Sequence, residues 1–305
     1  MFSDFLRDLT FISPRYGKGE QEAAKLIESC LKKASLPYEV QSFTAKVPLF
    51  KASLTADGQE VSCLGSSLVS GNLDSSTPIL SYTQASSKDS VIYYSPTSLG
   101  IYHNSNHAKA SLAVNKDSVD ILKNAKNVKG TVLVTPYSFT SQNFLVGNTL
   151  DPKKVIFSHY DSIVGPGAND NAVAVDILMD IVTSKKSLLE DHLFVFVGNE
   201  ESSYAKPFSW CHGYEVFDLL YSSLLDQCQE IIVLDGLGSA PASFITSDLD
   251  EVFMISRLSQ LKSKILWLHD SQETYLKYGH TYHDTLDNID QKYILQAKEL
   301  LLSRL

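Results

Sequence analysis

Apolar positions along the chain fall into two rhythms. Short continuous runs, Val155-Ile156-Phe157, Leu193-Phe194-Val195-Phe196-Val197, Ile231-Ile232-Val233-Leu234 and Ile265-Leu266-Trp267-Leu268, read as strands buried on both faces. Between them, apolar residues recur at helical spacing: Val173, Ile177, Leu178 and Ile181, then a span at 207–225, then Val252, Phe253, Ile255 and Leu258 within 248–261. Strands alternating with helices predict an α/β fold: a mixed, mainly parallel central sheet flanked by helices. Phe2, Phe5, Leu6 and Leu9 predict a short amphipathic helix, residues 18–34 a longer one stopped before Pro37, and residues 291–302 a closing helix. Residues 38–43 alternate like an edge strand. Residues 130–134 and 143–146 carry further strand signals, the second expected beside Val155.

Residues 46–128 have a different texture. Ser, Thr, Asn and Asp are frequent, short β-type runs recur, and no long helical pattern interrupts them before residue 118. This predicts a small β-rich domain inserted into a main domain formed by 1–45 and 129–305. Within it, His103 and His107 stand in a polar HNSNH stretch that reads as a loop with surface histidines.

Chemistry-bearing residues collect where the apolar runs end. The run at Val155 leads into His159-Tyr160-Asp161, the run at Leu193 into Gly198-Asn199-Glu200-Glu201, and the run at Ile231 into Asp235-Gly236. The helix at Val173 is preceded by Asn169-Asp170-Asn171, an Asx-type start. One acid at a strand end is ordinarily a helix cap or a solvated turn. Three strand ends in succession carrying His or acid, on a sheet type that binds ligands beyond the carboxyl ends of its strands, point to a site for a borderline metal.

Composition narrows the partners. The chain has 305 residues, enough for a large core, with 20% charged residues and a net charge of −9. That acidity argues against nucleic acid or an anionic membrane as a partner. The N-terminal stretch is interrupted by Asp4, Arg7 and Asp8 and does not read as a signal peptide. The four cysteines are widely spaced without a C-x-x-C, so they read as free thiols, and a cytoplasmic location is expected.

The motifs HYDS, GANDN, NEES, LDGLG and YHDTLDNI, in that order, resemble the co-catalytic zinc aminopeptidases, a family that also includes aminopeptidase Y, glutamate carboxypeptidase and the animal glutaminyl cyclases. The likeness covers residues 130–305 and, more loosely, the first 45. It implies two zinc ions: His159 and Asp235 on one, Glu201 and His283 on the other, Asp170 bridging both. It further implies Glu200 as general base, Asp161 orienting His159, a cis peptide after Asp170, and Asp287 steadying the loop around His283. His280, three residues earlier, is the alternative ligand. His269, at a strand end, is the extra histidine expected in the site, and Trp210, Phe208 and Tyr214 are candidates for an apolar pocket or for core packing.

The activity so implied is a metal-dependent exopeptidase, an aminopeptidase acting on short peptides, and the insertion, placed where relatives such as aminopeptidase Y carry a protease-associated domain, is expected to be a lid or a reduced version of that domain. Two dications acidify a shared water and a neighbouring carboxylate removes its proton. Two alternatives stand beside it: a single-zinc glutaminyl cyclase, to which the LDGLG segment bears some likeness, and a non-catalytic peptide-binding protein on the same scaffold. Neither the direction of peptide recognition nor the oligomeric state can be read from the residues.

Overall fold

The computed structural model describes residues 2–104 and 107–305. Thirteen strands occur among the described residues: β1 (Glu39–Ala56), β2 (Gln59–Glu60), β3 (Cys63–Gly65), β4 (Gly71–Asp74), β5 (Ile79–Ser81), β6 (Ser90–Tyr94), β7 (Ala110–Val114), β8 (Val128–Gly147), β9 (Lys154–His159), β10 (His192–Val197), β11 (Glu230–Leu234), β12 (Ser243–Ile245) and β13 (Ile265–His269). The larger sheet runs β12-β13-β11-β9-β10-β8-β1-β2, with β4 also on β8; the smaller runs β3-β7-β6-β5. β10, β9, β11 and β13 are mutually parallel, as their continuous apolar runs predict.

Helices cover both faces. On one side lie α1 (Asp4–Phe11), α2 (Lys18–Lys33), α4 (Val173–Ser184) and α8 (Gln291–Leu302), packed on Phe144, Ile156, Phe194 and Ile232. On the other lie α5 (His212–Gln227) and the segment around Phe253, packed on the alternate residues Val155, Phe157, Val195 and Val233. Phe157 is fully buried and meets Phe217, Phe253 and Tyr214 with ring centroids 5.0, 5.3 and 5.5 Å away. Deleting such a ring costs about 3–5 kcal/mol. The remaining helices are α3 (Val119–Asn124), α6 (Leu258–Leu261) and α7 (Gln272–Tyr278).

Several expectations are corrected here. Residues 143–146 belong to β8, which pairs with β10 and β1 rather than with the strand at Val155. The 248–261 segment is mostly irregular, because Asp248 takes a left-handed backbone and only Leu258–Leu261 winds as α-helix. No Asx cap opens α4; an irregular turn, Ala168–Ala172, precedes it, in which Asp170 and Asn171 leave helical geometry. β1 and β8 pair without interruption from Glu39↔Leu145 to Ala56↔Val128, so both strands run on across the expected boundaries at 45/46 and 128/129. The β-rich region is therefore an outgrowth of the main sheet, with its own core around Leu54, Leu112 and Val132. His103 is not a surface residue: it is buried, edge-on to Phe50. Of the HNSNH stretch, Ser105 and Asn106 lie outside the described residues.

Candidate metal centre

The parallel register of β9 between β10 and β11 brings their carboxyl ends together. His159 is the last residue of β9, Asp235 follows β11 directly, and Glu200 and Glu201 lie just beyond β10. Asp170 arrives from the turn before α4, where the Asp170–Asn171 peptide is cis, as the resemblance implies. Asn171 Nδ2 donates to Leu234 O at 2.8 Å, tying that turn to the end of β11.

Two clusters result, and they share one residue. His159 Nε2 lies 3.2 Å from Asp170 Oδ1 and 3.6 Å from Asp235 Oδ2. The other oxygen of Asp170, Oδ2, lies 3.2 Å from His280 Nε2, which is 2.9 Å from Glu201 Oε2. In each triad the potential ligand atoms all lie within 4.8 Å of one another. Both offer imidazole nitrogen and carboxylate oxygen, the donor set that suits zinc. Among the described residues neither ring nitrogen of buried His159 makes a well-formed hydrogen bond, although carboxylate oxygens stand 3.2, 3.4 and 3.6 Å away, so the arrangement fits a cation held between them.

The structure does not bring His283 into this cluster; His280 stands there instead. Buried Thr281 explains the exchange. Its hydroxyl donates to Tyr278 O at 2.6 Å and accepts from His283 N at 3.0 Å. The chain turns about this point, so His280 and Asp284 face inward while Tyr282 and His283 are exposed. The acid that holds the loop is accordingly Asp284, not exposed Asp287. Asn169 N donates to Asp284 Oδ1 at 2.7 Å and Asp170 N to its Oδ2 at 3.0 Å.

Asp161 does more than face its histidine. Its Oδ1 lies 3.4 Å from His159 Nδ1, while its two oxygens accept from Glu200 N and Glu201 N, each at 3.0 Å. One buried carboxylate thus orients three site residues. Glu200 is buried beside both clusters, and the Cys211 thiol donates to its Oε1 at 3.0 Å.

Two further buried charges escape sequence reading. Arg15 is fully buried and donates only to backbone carbonyls, from Nε to Tyr160 O at 2.6 Å, from Nη2 to Gly167 O at 2.9 Å and from Nη1 to Pro166 O. Burial lowers its guanidinium to about 10, against the opposing pull of Asp284, Asp161, Asp170 and Glu201. Glu20 is buried behind Asp161, accepting from Ser141; burial and Asp161 push its carboxyl well above the usual range.

The clustered charges set each other's protonation. Burial raises Glu201 to about 7, with Asp170 adding to it, and drives Glu200 well above the ordinary carboxylate range. Burial would also raise Asp170, yet His159 and His280 hold it well below its usual value. For the two imidazoles burial alone would favour the neutral form. Glu200, Asp161, Asp170 and Asp235 outweigh it at His159, and Glu201, Tyr102 and Asp170 do so at His280, so both sit well above the ordinary histidine value. Paired in this way, the cations on the rings balance acids that a dication would otherwise neutralise.

A cavity of about 500 Å³ opens onto both triads. Its walls carry Glu200, Trp210, Met254, Trp267 and Tyr275 from the main domain and Tyr82, Thr83, Tyr102 and Asn104 from the β-rich region. His269 lines it as well. Its Nδ1–H donates to Asp235 O at 2.9 Å, and its Nε2 has no hydrogen-bond partner among the described residues. Gly236, at φ +68°, permits this approach, since a Cβ there would stand 2.5 Å from His269 Nδ1. Of the three aromatic pocket candidates only Trp210 lines the cavity; Tyr214 is core, and Phe208 leans on Trp210 at 6.5 Å.

Residues 145–265 match Peptidase family M28. No curated protein matches the chain by sequence. Among solved structures the chain is similar to BSAP, a zinc aminopeptidase from Bacillus subtilis, at TM-score 0.72 and 16% identity, over 97% of this chain and 91% of that one. It is similar to the aminopeptidase from Aneurinibacillus sp. strain AM-1 at TM-score 0.64 and 17% identity, over 97% and 90%. It is also similar to the glutaminyl cyclase of Tannerella forsythia at TM-score 0.53 and 15% identity, over 98% and 94%. These likenesses show that the chain has the fold of these structures, in agreement with the resemblance read from the five motifs.

Proposed function

Given a chain whose residues 145–265 are those of Peptidase family M28, we propose that this protein is a two-zinc aminopeptidase acting on short peptides. One observation carries the reading: Asp170 stands between two separate His–carboxylate triads, one oxygen toward each. His159, Asp170 and Asp235 would hold one ion; Asp170, Glu201 and His280 the other. When bound, the two ions would acidify a water and polarise the scissile carbonyl. Glu200 removes the proton from the attacking water and returns it to the leaving amine nitrogen. The Cys211 thiol occupies Oε1, leaving Oε2 to carry that proton. Asp161 holds Glu200 and Glu201 at their backbone nitrogens, so neighbouring side chains keep separate tasks.

The direction of recognition follows from charge. The cavity is lined by Asp170, Glu200, Glu201, Asp235, Asp250 and Glu251, and no Lys or Arg is among its described lining residues. A carboxypeptidase needs a cation for the substrate carboxylate; with the other four acids assigned to metal and base, Asp250 and Glu251 remain to favour an α-ammonium group. Tyr82 and Tyr102 close the far side, which supports a preference for short peptides.

The test joins stoichiometry to product analysis. Zinc-supplied protein, freed of excess metal, is expected to retain about two ions per chain and to release the N-terminal residue from short peptides. One tight ion together with ammonia release from an N-terminal Gln peptide would replace this reading with the single-zinc cyclase. Binding of peptide without turnover, and no tight metal, would replace it with the binding protein.

A further inference from the structure

The two triads are built from different parts of the chain. His159, Asp170 and Asp235 all come from strands β9 and β11 and the turn before α4, held by the main core. His280 comes from the short loop after α7, with a left-handed backbone at φ +53°. Within that loop, hydrogen bonds fix Thr281 and His283 N, but they leave the ring of His280 without support.

The support comes from residues 97–103 of the β-rich region. His280 Nδ1–H donates to His103 O at 2.9 Å, and His103 N donates to His280 O at 2.9 Å. The reciprocal pair fixes both backbone and ring. Because a carbonyl can only accept, it also fixes the proton on Nδ1 and turns Nε2 toward Asp170 and Glu201. A metal-binding imidazole needs such an acceptor on its other nitrogen. Tyr102 lies flat over the same ring, with centroids 5.4 Å apart and planes 17° apart, and is backed by Tyr82 at 4.7 Å. The two segments are joined along their length: Leu99 N donates to Lys277 O at 3.1 Å and the Ser98 hydroxyl to Leu276 O at 2.8 Å. The two segments also meet at Gly100, where a Cβ would stand 2.9 Å from Cδ2 of the exposed His283 side chain. His103 is anchored in turn by Phe50 on β1.

We propose that residues 97–103 are the template of the second metal position, so that the β-rich region is a working part of the metal centre as well as a wall over it. Tyr102 is then a positioning residue: it acts through His280 and does not ligate. This inference rests on the two-zinc reading above.

The experiment is zinc titration of the full chain by chelator competition, with circular dichroism and thermal unfolding of the metal-free protein as folding controls. Tyr102→Ala is expected to leave the first ion at wild-type affinity and to weaken the second by about 10–100-fold. Tyr102→Phe keeps the stacked ring and is expected to restore it. Gly100→Ala presses only on the exposed ring of His283, away from Tyr102, and is expected to leave both ions at wild-type affinity. Should wild type bind two ions and Tyr102→Ala bind them equally well, the template is refuted while the two-zinc reading stands. A wild type holding one ion or none removes the second position, and both readings go together. Equal weakening of both ions by Tyr102→Ala refutes the template as well, since it signals general loosening.

Discussion

The two halves of the candidate centre solve the same problem with different materials. Around His159 the donors are attached to strands whose register is locked over six paired residues between β9 and β10. Around His280 the donor sits on a loop whose ring is held from outside, by the carbonyl of His103 and the face of Tyr102. A position built on sheet ends inherits the rigidity of the core. A position built on a loop depends on whatever second segment holds it. The comparison teaches that a shared bridging residue, Asp170, does not make the two positions equal.

The comparison can be sharpened by removing one group at a time. The largest effect is expected at Glu200, which serves both halves. Glu200→Gln should lower kcat by about 10²–10⁴-fold while elemental analysis still finds wild-type zinc; full activity in this variant would exclude it as the base. Next come the histidines. His280→Ala should lose one ion and keep the other, and His283→Ala should keep both, as read by zinc content after dialysis. The reverse pattern would restore His283 as the ligand. Asp161→Asn leaves one acceptor oxygen for two backbone nitrogens and removes the charge that faces His159, and should weaken zinc by about 10–100-fold in a chelator competition. The smallest and most graded effect is that of pH. Neighbouring acids keep His159 and His280 protonated above the ordinary histidine value of about 6.5 when metal is absent. Zinc requires neutral rings, so binding releases protons and affinity climbs as pH rises through and beyond that value. Calorimetry in buffers of different ionisation enthalpy measures the release; none at neutral pH would show the rings already neutral.

What could be read before the fold was known follows from where the information lies. Strands β9, β10, β11 and β13 were legible because burial on both faces leaves uninterrupted apolar runs, and the residues at their ends were legible with them. The long ribbon was read as several short strands. Its middle alternates with polar residues, and Pro48 and Pro136, each an apparent strand breaker, face one another across the pair. His280 and His283 are the same residue type three apart, and only the inward turn at Thr281 separates them. The same turn makes Asp284 rather than Asp287 the structural acid. Arg15 and Glu20 could not have been found: a basic and an acidic residue in a polar N-terminal stretch give no sign that the fold will bury them. Cys211 was legible as a free thiol, but its contact with Glu200 depends on how the chain returns after β10.

The ribbon has a mechanical consequence. A swinging lid needs a hinge, and a hinge needs connections free to rotate. Both connections between the main sheet and the β-rich region are strands paired to each other at every position from Glu39 to Ala56, so the ribbon can twist and curve as a unit but offers no unpaired hinge. The region is held at two places, at its root by the ladder and at residues 98–103 by hydrogen bonds to Leu276, Lys277 and His280. On the proposed reading, access to the cavity would not depend on rotation of the whole region about a free hinge.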